Sequence, residues 1–142
     1  AKGCRLSPGS TLMTTRRHFE NIGGFDPDLE RLEDWDWLLR STRRTPVWVL
    51  RQPHADIYVS GYPAPDVVQR SVNILRDKHL SEFAGRGEGL QGNFRSALAT
   101  ELIVASFRDG AYFKSAQNLV VACIVQPALA AILIPRMFGI RQ

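Results

Sequence analysis

Residues 23–40, GGFDPDLERLEDWDWLLR, do most to limit what this chain can fold into. They hold six of the chain's 14 acidic residues, set among Phe25, Trp35 and Trp37, in a protein whose net charge is +4. Glu33, Asp34 and Asp36 crowd the start of LEDWDWLLRSTRR, and Arg40, Arg43 and Arg44 crowd its end. That polarity predicts a helix. Unpaired N–H groups at a helix start favour carboxylates, and unpaired carbonyls at its end favour cations. Pro27 breaks any earlier continuation and Pro46 stops the helix. The acids can be read simply as a good first turn. Two features ask for more: the tryptophans leave little room for a merely solvated face, and the GGFD turn can bring backbone close to another group.

The flanking segments predict a mixed architecture. STLMTT (residues 10–15) reads as a strand, and RRHFENIGG as a short helix closed by Gly23 or Gly24 in a left-handed cap. VWVLR (47–51) and ADIYVS (55–60) read as two further strands, and GYPAP as a rigid loop. Asp66 is the expected N-cap of a helix with Val68, Val72, Leu75 and Phe83 near helical spacing. GRGEGLQGN (85–93) reads as a flexible break. From Phe94 to about Pro135 two helices are expected, hinged at Asp109 and Gly110. Residues 1–65 thus read as the end of an α/β domain without the early βαβ units of a parallel sheet, and residues 66–142 as a helical region. The first residue is not Met, and the chain enters a strand-like run almost at once, as expected of a piece cut from a longer protein.

With 142 residues, 44% hydrophobic and 23% charged, the composition is that of an ordinary globular chain. A pI near 9.5 fits an anionic partner such as a nucleotide or an anionic lipid surface. No nucleic-acid-binding signature accompanies it. Two cysteines, Cys4 and Cys123, make neither a disulfide framework nor a metal cage. His18 and His79 sit in polar helical settings and are expected at the surface. Ser7 and Ser10 have no base in view, which sets aside a serine hydrolase.

The stretch RRHFENIGGFDPDLERLEDWDWLLR resembles the second half of the catalytic domain in family 2, GT-A-type (inverting) glycosyltransferases. In that family a strand and short helix lead into a GGFD turn, and an ED pair then opens a helix ending LLR. Gly23, Gly24, Phe25, Asp26, Glu33, Asp34, Trp35, Asp36, Leu38 and Arg40 match. The resemblance covers residues 7–60 well and the helical tail only loosely. It implies the C-terminal portion of a Rossmann-like GT-A domain. It also implies transfer of a sugar from a nucleotide-sugar donor to a glycan or lipid-linked acceptor, as in polysaccharide, lipopolysaccharide or glycolipid synthesis. Asp34 would be the general base and Glu33 would orient it or contact the acceptor. Trp35, Gly24 and Phe25 would form the acceptor pocket. Arg51 would face the donor phosphates, and His54 would lie near those phosphates or the metal; from the residues alone, each also reads as an ordinary strand-end or loop residue. The family holds a divalent ion, magnesium or manganese, with a D-x-D motif after an apolar strand. Neither Asp26-Pro27-Asp28 nor Asp34-Trp35-Asp36 follows such a strand, so the metal's main ligands and the donor half are expected outside this chain.

LVVACIVQPALAAILI (119–134) is the strongest apolar run, interrupted by Gln126 and Pro127. A membrane-spanning helix needs about 20 apolar residues, and this run falls short. It reads as a helix buried on its neighbour or as an interfacial segment, with Lys114, Arg136 and Arg141 facing headgroups. A cytoplasmic protein, peripheral on the inner face of the membrane, is the expectation. The alternative function is a non-catalytic helical scaffold or membrane-adaptor module.

Overall fold

A computed structural model describes residues 8–50, 52, 55, 56, 61, 63–84 and 88–125. The chain divides into two compact units, Ala1–Gly61 and Tyr62–Gln142. The first holds α1 (Pro8–Thr11), α2 (Arg16–Ile22) and α3 (Glu33–Thr42); the second holds α4 (Pro65–Ala84), α5 (Glu88–Arg108) and α6 (Tyr112–Val125).

Every described element is a helix, so the expectation of an α/β, Rossmann-like GT-A portion is overturned. STLMTT begins inside α1, and Leu12 to Thr15 are irregular. Val47, Trp48, Val49 and Leu50 belong to no helix or strand, and Trp48 is 90% exposed. Of ADIYVS only Ala55 and Asp56 are described, and they form no strand. β-Branched and aromatic composition reports fitness for a pleated, half-buried surface. It produces a strand only where a neighbouring strand supplies the ladder, and no described segment does.

In the first unit, α2 starts at Thr15, whose side chain accepts the His18 N–H at 3.2 Å. It ends in a Schellman motif. Gly23 has φ 101°, its N–H donates to Glu20 O at 3.0 Å, and the Gly24 N–H donates to Phe19 O at 3.1 Å. Two successive left-handed residues (Gly24 has φ 68°) explain why both are glycine. The core forms around Trp37, which is 1% exposed and stacks on Phe19 at 5.6 Å with His18 edge-on at 5.7 Å. Leu29 and Leu32 are also buried. His18 is half-buried rather than on the surface, because its Nε2 pairs with the Ser41 hydroxyl at 2.8 Å.

Among the described residues the second unit holds three helices, with α5 packed on both α4 and α6. Pro65 occupies the first helical position of α4, where a missing N–H costs nothing. Asp66 therefore lies inside the first turn and is not the N-cap; its carboxylate pairs with Arg70 at 2.7 Å. Val68, Val72, Leu75 and His79, spaced four, three and four apart, are all buried, while Phe83 is half-buried against Phe94 at 4.8 Å. His79, expected at the surface, is 2% exposed because it continues that apolar stripe and meets Phe94 edge-on. From α5, Phe94, Leu98, Ile103 and Ala105 complete the core. The expected break at 85–93 is helical from Glu88 onward, despite Gly89 and Gly92. A second Schellman motif ends α5: Gly110 has φ 81°, its N–H donates to Phe107 O, and the Ala111 N–H donates to Ser106 O. Ser115 then ties α6 back to α5, donating its hydroxyl to Ile103 O at 3.0 Å. Residues 126–134 of the apolar run lie outside the described residues. Among the described residues no helix is long and apolar enough to cross a membrane.

Candidate functional site

The first turn of α3 carries Glu33, Asp34 and Asp36, and the structure gives the two aspartates different environments. The turn begins abruptly. Leu32, at the N-cap position, has φ 64° and supplies no side-chain cap. A leucine in left-handed backbone costs about 1–2 kcal/mol. Burying its side chain, 3% exposed, offsets this by a comparable amount, about 1.5–3 kcal/mol.

Asp36 faces the interior. Its carboxylate is wholly buried and meets Arg40, one turn along, at 2.9 Å from Nε and 2.8 Å from Nη2. Arg40 also reaches out of its helix. Nη1 donates to Ile22 O at 2.7 Å and Nη2 to Gly24 O at 2.6 Å. One guanidinium thus neutralises a buried acid and fastens the glycine turn to α3. A buried carboxylate without such a partner would be strongly unfavourable.

Asp34 is half-buried. Its Oδ1 accepts the Trp35 N–H at 2.8 Å, and its Oδ2 accepts the Gly9 N–H at 2.6 Å. The second bond comes from α1, 25 residues away. A Cβ on Gly9 would stand 3.0 Å from Oδ2, so glycine permits this approach. A carboxylate has about four lone-pair sites. Two backbone donors fix its orientation and leave each oxygen able to accept once more.

The remaining expected site residues are partly brought together. Glu33 and Trp35 flank Asp34 and are half-buried. Gly24 packs under Phe19, whose ring would lie 3.5 Å from an added Cβ. Phe25 is 47% exposed and edge-on to Phe19 at 5.0 Å. Gly24 and Phe25 are joined to Phe19 and Arg40; among the described residues no hydrogen bond or ring contact joins them to Asp34. Arg51 and His54 lie outside the described residues.

The described residues do not fit a divalent metal: no group of three or more His, Cys, Asp or Glu side chains could hold one. In Asp26-Pro27-Asp28, Asp26 Oδ1 accepts the Asp28 N–H at 2.9 Å, making a local turn. In Asp34-Trp35-Asp36, the second aspartate is committed to Arg40.

Two participants, Gly9 and Arg40, lie outside the expected site residues. Gly9 had no local signal, because its bond to Asp34 spans 25 residues. Arg40 had one: it stands four residues after Asp36, the spacing at which helical side chains meet.

The chain matches no protein-family model, no curated protein and no solved structure.

Proposed function

We propose that this chain carries the acceptor side of an inverting glycosyl transfer, with Asp34 as general base. The observation that carries the reading is the division of labour in one helical turn. Asp36 is committed to a buried ion pair, whereas Asp34 is held by two backbone N–H groups and keeps accepting capacity. The ED-W motif of residues 33–35 and the glycine turn fastened by Arg40 support it further. The Rossmann-like fold that accompanies this motif in its family is absent from the described residues, so the reading rests on the local site.

In the proposed step an acceptor hydroxyl oxygen attacks the donor sugar's anomeric carbon. The bond from that carbon to the nucleotide's terminal phosphate oxygen breaks, the nucleoside diphosphate leaves, and Asp34 takes the hydroxyl proton. Positioned proton acceptance contributes typically about 10²–10⁴-fold in rate. Glu33 and Trp35 would line the acceptor's approach. A magnesium or manganese ion would be held by residues other than those described. The protein would work in the cytoplasm at the inner membrane face, where α6 offers exposed Tyr112, Phe113 and Val120 to a lipid surface and its acceptor. The test is release of nucleoside diphosphate from UDP- and GDP-sugars by the intact protein, with and without glycan or polyprenyl-linked acceptors. Acceptor-dependent release supports the reading, and its absence with every pairing counts against it.

A second reading is a non-catalytic helical scaffold or membrane adaptor. The all-helical character of the described residues favours it, and the bonds to Asp34 also serve as helix caps, the Trp35 N–H bond for α3 and the Gly9 N–H bond for α1.

A further inference from the structure

Leu29, Leu32 and Trp37 go into the core of the first unit. Val47, Trp48, Val49 and Leu50 do not: they are 40%, 90%, 65% and 70% exposed. Single exposed apolar residues are ordinary, but four in succession, one of them tryptophan, form a patch of the kind that marks a contact surface. Every residue from Thr42 to Leu50 is exposed, so no described part of the first unit covers the run.

Charge narrows what does. Between Asp36 and Asp56 the chain carries Arg40, Arg43, Arg44 and Arg51 and no carboxylate. Arg40 is answered by Asp36 and Arg43 has an interaction of its own, which leaves Arg44 beside the patch. Arg44 is exposed, and among the described residues its bond goes to a neutral carbonyl, Asn21 O, at 3.1 Å. That bond steadies the guanidinium without cancelling its charge, and Val47 follows three residues later.

Aliphatic and indole side chains beside an unneutralised guanidinium, in a chain of net charge +4, match the two layers of an anionic bilayer surface. Tryptophan suits the boundary between those layers, because its ring is apolar and its N–H polar. A protein interface that buried the patch would also desolvate Arg44 and need a matching carboxylate on the partner. At a headgroup plane the cation stays hydrated among phosphate oxygens while its apolar neighbours enter. We propose that residues 44–50 are a membrane-contact segment that inserts Trp48 and its aliphatic neighbours into an anionic lipid surface. This contact is separate from the α6 residues named above. It also requires no catalytic role for Asp34, so lipid binding without sugar transfer would uphold it while the glycosyl-transfer reading failed.

The test mixes the 142-residue chain with phosphatidylcholine vesicles, with and without phosphatidylglycerol, at low and high salt, and follows sedimentation with the vesicles and tryptophan emission. Binding to the anionic vesicles is expected, weaker at high salt, with a blue shift and quenching by brominated acyl chains. Trp48→Phe should bind nearly as well and lose most of the shift, since Trp37 is already buried in the core. Trp48→Ala/Leu50→Ala should weaken binding at least about tenfold, with the melting temperature unchanged because both side chains are exposed. Arg44→Gln should weaken binding to the anionic vesicles several-fold and reduce its salt dependence. Phe113→Ala/Val120→Ala in α6 should leave the Trp48 shift in place. Absence of binding, equal binding to neutral vesicles, a spectral shift undiminished in Trp48→Phe, or self-association through Trp48 in place of vesicle binding would overturn the proposal.

Discussion

Arg40 and Asp36 form an ion pair at 2.8 Å in which the carboxylate is fully buried and the guanidinium also holds the carbonyls of Ile22 and Gly24. The pair joins the end of α2, the glycine turn and the first turn of α3 through one side chain. Removing one partner of a buried pair leaves an uncompensated charge, at a cost of about 3–5 kcal/mol. Arg40→Ala should lose stability on that scale in urea denaturation. Arg40→Lys should lose less, since it keeps the charge but cannot span Asp36 and both carbonyls together. A change below about 1 kcal/mol for Arg40→Ala would show that the latch behaves as an ordinary surface pair.

Gly9→Ala isolates the orientation of Asp34 from its presence. The added methyl would stand 3.0 Å from Oδ2, so the carboxylate must shift by a few tenths of an ångström. The backbone donor survives and alanine suits a helix better than glycine. Turnover should fall several-fold while stability stays within about 0.5 kcal/mol of the parent. Unchanged turnover would mean that the Gly9 bond does not position a reacting group.

The glycines of α5 make a separate test of the fold. Gly89 and Gly92 are helical, and a Cβ at either would meet nothing within 4 Å. Alanine there should stabilise by about 0.4–1 kcal/mol each by restricting the unfolded chain. Thermal unfolding of the two single variants measures this, and destabilisation by either would place that residue outside a helix.

Asp66 supplies a pH dependence with a definite sign. The Arg70 hydrogen bond holds its carboxyl below the usual aspartate range, against the opposing effect of desolvation. Its contribution is therefore present above the unfolded aspartate pKa and lost as pH falls through the depressed folded value. Asp66→Asn should melt slightly below the parent at neutral pH, and the two should converge in strong acid. Equal melting at neutral pH would show that the Arg70 pair contributes nothing, as many exposed pairs do.

Local chemistry was legible in the sequence where one or two residues decide it. The glycine pair ending α2, the acids opening α3 and the apolar spacing of Val68, Val72 and Leu75 all appear where their local physics puts them. What depends on distant partners was not. Residues 47–50 have strand composition, but a ladder needs a second strand, and none is described. His79 looked polar by its neighbours along the chain, yet its helical register buries it with Leu75. Asp66 looked like a cap because the preceding Pro65 was read as loop, whereas its fixed φ suits the first helical position. The Asp34–Gly9 bond closes a long span for which no local pattern exists.

If Asp34 takes the acceptor's proton, Asp34→Asn in the intact protein should show it more clearly than any other change. The amide keeps the size and the oxygen that can accept one of the two backbone N–H bonds, but it cannot take up a proton. The measurement is steady-state turnover alongside donor affinity and thermal stability, with Asp36→Asn as the comparison. With Asp34 as general base, kcat for Asp34→Asn falls about 10²–10⁴-fold with donor binding and melting temperature nearly unchanged, while Asp36→Asn chiefly loses stability. Near-normal turnover in Asp34→Asn, or activity lost only in step with unfolding, would contradict it and leave the carboxylate as a cap on α3.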